Sequence, residues 1–193
     1  EVGVENMNQN LQNRLNPKAK DKPEHVRGDV TFRKGDKVMQ IKNNYQQEWK
    51  IYGVSKTGTG RGYVLDEGVG VFNGDMGVIT DISDYDEELT ILFDDGRESV
   101  YNYKELDQIE HAFAVTIHKS QGSEYPAVII PLLGGNRKLM NRNLIYTAIT
   151  RARQLVIIVG DVNLVNQMVD NSEEQKRYTS LALRLEELNE SME

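Results

Sequence analysis

Residues 111–131 read HAFAVTIHKSQGSEYPAVIIP, and residues 143–161 answer them with NLIYTAITRARQLVIIVGD. In the first stretch two apolar runs, 112–116 and 127–131, bracket the polar insert His118-Lys119-Ser120-Gln121-Gly122-Ser123-Glu124. In the second, a segment of helical periodicity ends in Thr150-Arg151-Ala152-Arg153 and passes directly into Leu155-Val156-Ile157-Ile158-Val159. Strand, polar connection, strand, helix and strand at this spacing predict an α/β fold built on a parallel sheet. Sheets of this kind gather polar groups at one end of their strands, where ligands bind.

Working outward, 193 residues suffice for one large domain or two small ones. No apolar run approaches the roughly 18 residues of a membrane span, and the acidic, amide-rich start has no signal-peptide core. The absence of cysteine excludes disulfides and thiolate metal sites and predicts a reducing, cytoplasmic setting. Glu1 stands where a start methionine would, so the chain is expected to be part of something longer. The net charge of −7 is unevenly spread. Residues 81–110 hold eleven acids against Arg97 and Lys104, and residues 170–193 seven acids against three bases. Residues 111–169 hold six bases against Glu124 and Asp161, so a polyanion would be met there, because phosphate binding responds to the local field.

Val4, Met7, Leu11 and Leu15 mark one stripe of an amphipathic helix that Asn16-Pro17 stops. Residues 37–42 predict a strand ending in Asn43-Asn44-Tyr45. Residues 46–70 read as an inserted hairpin whose tip, 55–61, carries Gly58 and Gly60. With no helix pattern following, that tip is a loop and not a phosphate cradle. Between 74 and 103, short strands and the Asp94-Asp95-Gly96 turn predict a small barrel with an acidic outer face. Asp161 or Asn163 is placed to cap a helix. A second helix opens at Ser172 with Gln175 as a capping box and carries Tyr178, Leu181, Leu185 and Leu188 on one stripe.

No G-x-x-x-x-G-K-[ST] phosphate loop occurs, and no acidic strand end suited to magnesium. The three histidines, His25, His111 and His118, have no nucleophile elbow near them and no metal-ligand spacing. Residues 116–124, TIHKSQGSE, resemble motif V of superfamily 1 helicases, and residues 146–153, YTAITRAR, resemble their motif VI. Gly35-Asp36-Lys37-Val38-Met39-Gln40 with Asn43-Asn44-Tyr45, residues 71–77 (VFNGDMG), and Asn8-x-x-Leu11-Gln12-x-x-Leu15-Asn16-Pro17 look like the RecD/TraA branch. The resemblance runs in order over about residues 4–165.

That resemblance implies the second RecA-like lobe of such a helicase, a P-loop NTPase lobe without the P-loop, formed by 1–45 and 109–193. It also implies an inserted hairpin at 46–70, longer than the family leads one to expect, and an SH3-like β-barrel at 71–108. It implies Arg151 as the catalytic arginine finger, a group worth about 10³–10⁵ in rate. An arginine at a helix C-terminus otherwise serves only to satisfy the helix dipole. ATP contacts are implied for Glu124, at the ribose, with Gln121, Gly122, Arg151 and Arg153. DNA contacts are implied for Thr116, His118, Lys119, Ser120, Asn43, Asn44 and Tyr45. Read without the family, Asn43-Asn44-Tyr45 is equally a turn after a strand. The cofactor implied is ATP with Mg²⁺ whose ligands sit on the first lobe. The partners implied are single-stranded DNA or a duplex junction, the protein's own N-terminal lobe and a repair nuclease complex, with 5′-to-3′ movement. The rival reading is a non-catalytic adaptor of a repair complex, which has no use for Arg151 or Glu124 beside a nucleotide.

The 193-residue chain on its own is expected not to turn over ATP at a helicase rate. A DNA-stimulated ATPase assay on the purified chain checks this, and stimulated turnover would overturn the reading of half a site.

Overall fold

The computed structural model describes residues 3–53, 62–134 and 139–171, together with 180, 184, 188 and 189. The expected hairpin tip at 55–61, Arg137 and Lys138, and the capping box and most of the apolar stripe of the last helix lie outside the described residues. The chain divides into two compact units, Glu1–Glu124 and Tyr125–Glu193.

The first unit opens with α1 (Val4–Leu15) and the β1 (Glu24–Arg27) and β2 (Val30–Arg33) hairpin. There follow β3 (Lys37–Gln40), β4 (Asn44–Tyr52), β5 (Val64–Val71), β6 (Met76–Ser83), β7 (Glu88–Phe93) and β8 (Glu98–Asn102). A 3-10 helix over Tyr103–Gln108, closed by a capping box between Asn102 and Glu105, leads into β9 (Ile109–His111). The larger sheet has the order β5-β4-β8-β7-β6-β3-β9, with every recorded pair antiparallel. The strands β3 and β9, flanking the 44–108 region in sequence, therefore belong to the same sheet as the barrel strands. At Gly77 an added Cβ would sit 2.6 Å from the Leu92 carbonyl oxygen, so only glycine lets β6 and β7 approach as they do. The core is Phe32, Val38, Val71, Ile79, Ile82, Leu89, Ile91, Phe93, Tyr101, Leu106 and Ile109, with Trp49 and Tyr103 packed against it.

The helix α1 stands where the spacing predicts and keeps Val4, Met7 and Leu11 half-buried, but its most buried face is another one. Leu15 is 67% exposed, while Asn8, Gln12 and Asn16 are buried. Their i, i+4, i+8 spacing puts three carboxamides on one face. That face meets Asp36, whose side chain is fully buried. Gln12 Nε2 donates to Asp36 Oδ2 at 2.6 Å and Asn16 Nδ2 to Oδ1 at 2.7 Å. The Arg33 N–H donates at 2.7 Å, and His111 Nε2 lies 3.0 Å from Oδ2. Gln12 places its other N–H on the Thr31 carbonyl at 2.7 Å, so the hydrogen between His111 and Asp36 belongs to His111 Nε2.

A correction to the sequence reading concerns 112–116, which is not a strand. The Ala112 N–H donates to Lys37 O, and beyond that the Asn8 side chain takes the place of a neighbouring strand.

The second unit holds β10 (Tyr125–Leu132), α2 (Arg142–Ile149), β11 (Ala152–Gly160) and α3 (Val162–Asp170). The two strands pair in parallel, as the spacing predicts, with an irregularity between Tyr125 and Ala127 where Pro126 has no N–H to give. Asp161 caps α3, its carboxylate accepting from Asn163 N at 2.8 Å. Helices on a parallel pair complete the α/β element.

Burial pushes the Asp36 carboxyl upward, yet the hydrogen bonds from His111, Asn16, Arg33 and Gln12 outweigh it and hold its pKa below the ordinary value. The ionised group therefore adds stability that is fully present above about pH 5 and is lost as pH falls through the lowered value, below about 4. Asp36→Asn, which sets an amide N–H against these donors, is expected to cost on the order of 3 kcal/mol at pH 7 and to flatten the acid limb. Urea unfolding between pH 3 and pH 7 measures both, and an acid limb unchanged in the variant would contradict the assignment.

Candidate functional site

The segment after β9 forms a chain of tight turns. Thr116 Oγ1 accepts from the Lys119 N–H at 3.2 Å, and the Thr116 carbonyl accepts from Ser120 N at 3.1 Å. Ser120 is buried, its hydroxyl donating to Ile117 O at 2.7 Å, so this side chain shapes the turn from inside. Lys119 pairs with Glu110 across the turn. His118, Gln121 and Glu124 are exposed. Gly122 has φ +88° with open space around its Cβ position, so backbone conformation alone selects glycine there. Thr116, His118, Lys119, Ser120, Gln121, Gly122 and Glu124 are thus brought into one compact loop of the first unit.

Asn43, Asn44 and Tyr45 stand apart from it along the chain, at the entry to β4. Asn43 Oδ1 accepts from the Asn73 N–H at 2.9 Å, joining this connection to the Phe72–Asp75 turn. Asn44 donates to Gln108 Oε1 at 3.0 Å and is half-buried. Tyr45 is 67% exposed and meets Phe72, itself exposed, edge to face at 5.7 Å between centroids. The turn is braced by Arg97, which donates to Asp75 Oδ2 at 2.7 Å, to Asp95 Oδ2 at 2.6 Å and to Gly70 O at 2.9 Å. Its guanidinium also lies over the Trp49 and Phe93 rings. Burial opposes its charge, but hydrogen bonds to Asp75 and Asp95 hold its pKa above the ordinary value.

In the second unit Arg151 follows the last turn of α2. Its Nε donates to Thr147 O at 3.3 Å and its Nη2 to Thr150 Oγ1 at 3.3 Å. The backbone is fixed on both sides: Arg151 N–H donates to Ala148 O, and Arg151 O accepts from Tyr125 N at 2.8 Å. A half-buried guanidinium held at a helix C-terminus satisfies that terminus. Arg153, two residues on in β11, is exposed. The end of the parallel pair that carries Arg151 is the amino-terminal end of both strands, opposite to the carboxyl end where open α/β sheets usually take ligands.

Arg151 and Arg153 have the chemistry to meet phosphate oxygens. Among the described residues no group of three or more His, Asp or Glu side chains is placed to hold a metal ion, and no helix is long and apolar enough to cross a membrane. The sequence reading missed the Asn8, Gln12, Asp36 and His111 cluster; the recurrence of amides at 8, 12 and 16 is the signal that could have found it.

The first unit is thus built on an antiparallel sheet and the second on a parallel strand pair with its helices. Residues 7–93 match the family model of the ATP-dependent RecD-like DNA helicase SH3 domain, and residues 111–159 that of the UvrD-like helicase C-terminal domain. The chain belongs to the RecD-type helicases, as part of their C-terminal region. It is 28% identical over 184 residues to the ATP-dependent RecD2 DNA helicase of Deinococcus radiodurans, covering 95% of this chain and 22% of that one. It is 34% identical over 120 residues to the RecBCD enzyme subunit RecD of Mycolicibacterium smegmatis, covering 62% of this chain and 20% of that one. The chain spans between 12% and 22% of the length of the first three curated relatives it matches. A Pif1 helicase chain, from a structure of DNA unwinding at forked dsDNA by two coordinating Pif1 helicases, shares the fold with a TM-score of 0.50 at 18% identity, over 98% of this chain and 43% of that one.

Arg97→Lys keeps the charge but loses the planar fork that reaches two carboxylates and a carbonyl. It is expected to cost about 1–3 kcal/mol in denaturant unfolding, because the buried Gly70 carbonyl and the half-buried Asp75 carboxylate are left short of donors. A loss indistinguishable from zero would show that the brace does not hold the turn.

Proposed function

We propose that this chain is the C-terminal motor lobe of an ATP-dependent, RecD-type DNA helicase and that Arg151 is its arginine finger. The single observation that carries this is the placement of Arg151. It stands at the end of α2 with its backbone clamped between Ala148 and Tyr125, so its cation is delivered from a fixed point. ATP, when bound, would supply the phosphoryl bond whose hydrolysis drives movement, and Mg²⁺ would be held by the first lobe and not by these residues. Arg151 neutralises charge on the γ-phosphoryl group as the lobes close; Arg153 supports the phosphates. Glu124 accepts from the ribose hydroxyls, and Gln121 and Gly122 shape the loop between nucleotide and strand. Thr116, His118, Lys119 and Ser120 line or shape the track for single-stranded DNA, which Tyr45, with Asn43 and Asn44 behind it, extends by stacking on a base.

One relative is named as a RecBCD enzyme subunit, and by analogy a repair nuclease complex is the partner we propose; a cytoplasmic setting and 5′-to-3′ movement on DNA are proposed from the sequence resemblance alone.

In the full-length enzyme Arg151→Ala is expected to lower kcat by about 10³-fold or more, with KM for ATP and strand affinity little changed, because the charge acts mainly in the transition state. Arg151→Lys should restore only part of the loss, and Arg153→Ala should cost less. Steady-state ATPase at saturating single-stranded DNA decides it. Near-normal kcat in Arg151→Ala, or a larger loss in Arg153→Ala, would assign the finger elsewhere and favour the adaptor reading.

A further inference from the structure

We propose that Asn8 is a positioning residue for the strand-binding loop, its carboxamide fixing the path of residues 111–114 and so orienting residues 116–124; this rests on the reading of that loop as a DNA contact. Asn8 is 6% exposed and lies about 100 residues away in sequence. Its Nδ2 donates to His111 O at 3.1 Å and to Ala114 O at 2.9 Å, while its Oδ1 accepts from Ala114 N at 2.7 Å. Both amide hydrogens and the carbonyl are engaged, and Ala114 has its N–H and C=O satisfied by one side chain, as a neighbouring strand would satisfy them. The grip is the last fixed point before the turns begin, two residues ahead of Thr116.

The remaining anchors lie behind it. Ala112 N–H donates to Lys37 O, the His111 ring is held by Asp36, and Phe113 leans on that ring. None of these holds Ala114. Without the carboxamide, the Ala114 N–H and C=O lose their partners and the chain from 113 onward can swing about the His111 anchor. Thr116 and His118 lie nearest the swing, and they are the residues read as strand contacts. The three amides of α1 divide the labour: Asn16 and Gln12 seat the helix on Asp36, while Asn8 reaches over to the loop. Asparagine is a poorer helix former than alanine, so a mid-helix carboxamide facing inward is there for its hydrogen bonds.

The test uses the full-length enzyme with Asn8→Ala and Asn8→Asp. The second variant keeps an acceptor for the Ala114 N–H but puts a carboxylate against two carbonyl oxygens, so the two fail for different reasons. Amide hydrogen exchange, without nucleotide or DNA, is expected to quicken at Ala114 and through residues 117–121. The concentration of an oligo-dT strand giving half-maximal ATPase stimulation is expected to rise by about tenfold, since a misplacement of about 1 Å can cost up to about 10²-fold. DNA-free turnover and KM for ATP should change less than half-saturation does, because Gln121, Gly122 and Glu124 lie farther from the lost grip than Thr116 and His118. Ile91→Val, a core change on β7, serves as the stability control and should leave half-saturation unmoved. Exchange that quickens at Ala114 but stops there, unchanged half-saturation, or an equal shift in Ile91→Val would each overturn the proposal. The exchange result stands whatever Arg151→Ala shows, so failure of the finger assignment is told apart from failure of this one.

Discussion

A carboxylate with no exposure to water is costly unless its charge is met on every side, and Asp36 is met by four donors from three parts of the chain. Gln12 comes from α1 and Asn16 from its C-cap, the Arg33 amide from the end of β2, and His111 from β9. What they share is an acceptor that each of them must reach. Removing any single donor leaves the rest facing a partly unsatisfied charge, so the cluster behaves as a unit. The order of the first unit, from its first helix to the start of the turn loop, is set by that requirement.

A second polar cluster does similar work elsewhere in the same sheet. Gln40, fully buried on β3, accepts from the Tyr101 hydroxyl at 3.0 Å and donates to Gln108 and to Lys42 O. Gln108 in turn receives Asn44. Burial pushes the Tyr101 phenol above its ordinary pKa, keeping it a donor throughout the physiological range. Gln47 and Ser99 repeat the pattern between β4 and β8. In the first unit the connections bearing the candidate functional residues hang from these polar clusters beside the apolar core. Hydrogen bonds are directional where apolar contacts are not, which suits loops that must present side chains at a fixed place.

This division explains what could be read from the sequence. The strands β10 and β11 and the helix α2 declare themselves by apolar runs and helical spacing, and their parallel pairing follows from the helix between them. The turn at 94–96 and the Asp161 cap are local chemistry and equally legible. The face of α1 was not, because the search for apolar periodicity selects Leu11 and Leu15 and passes over Asn8, Gln12 and Asn16. Those amides are informative only once their distant acceptors are known. Residues 112–116 look like a strand because they are apolar, yet their backbone partners are a side chain and a single carbonyl. Ser120 lies in the polar insert, and nothing in the local pattern distinguishes an inward hydroxyl from an exposed one.

The chain has one tryptophan, and its position has a practical bearing. Trp49 sits on β4, half-buried against the barrel core, with the Arg97 guanidinium 5.7 Å from its ring and Gly68 so close that a Cβ there would lie 2.6 Å from it. Intrinsic fluorescence excited at the indole band therefore reports on the packing of β4, β5 and β8, while residues 125–193 hold no tryptophan of their own. Circular dichroism samples both units at once. Recording the two together would separate the melting of the barrel from that of the parallel pair without adding a label.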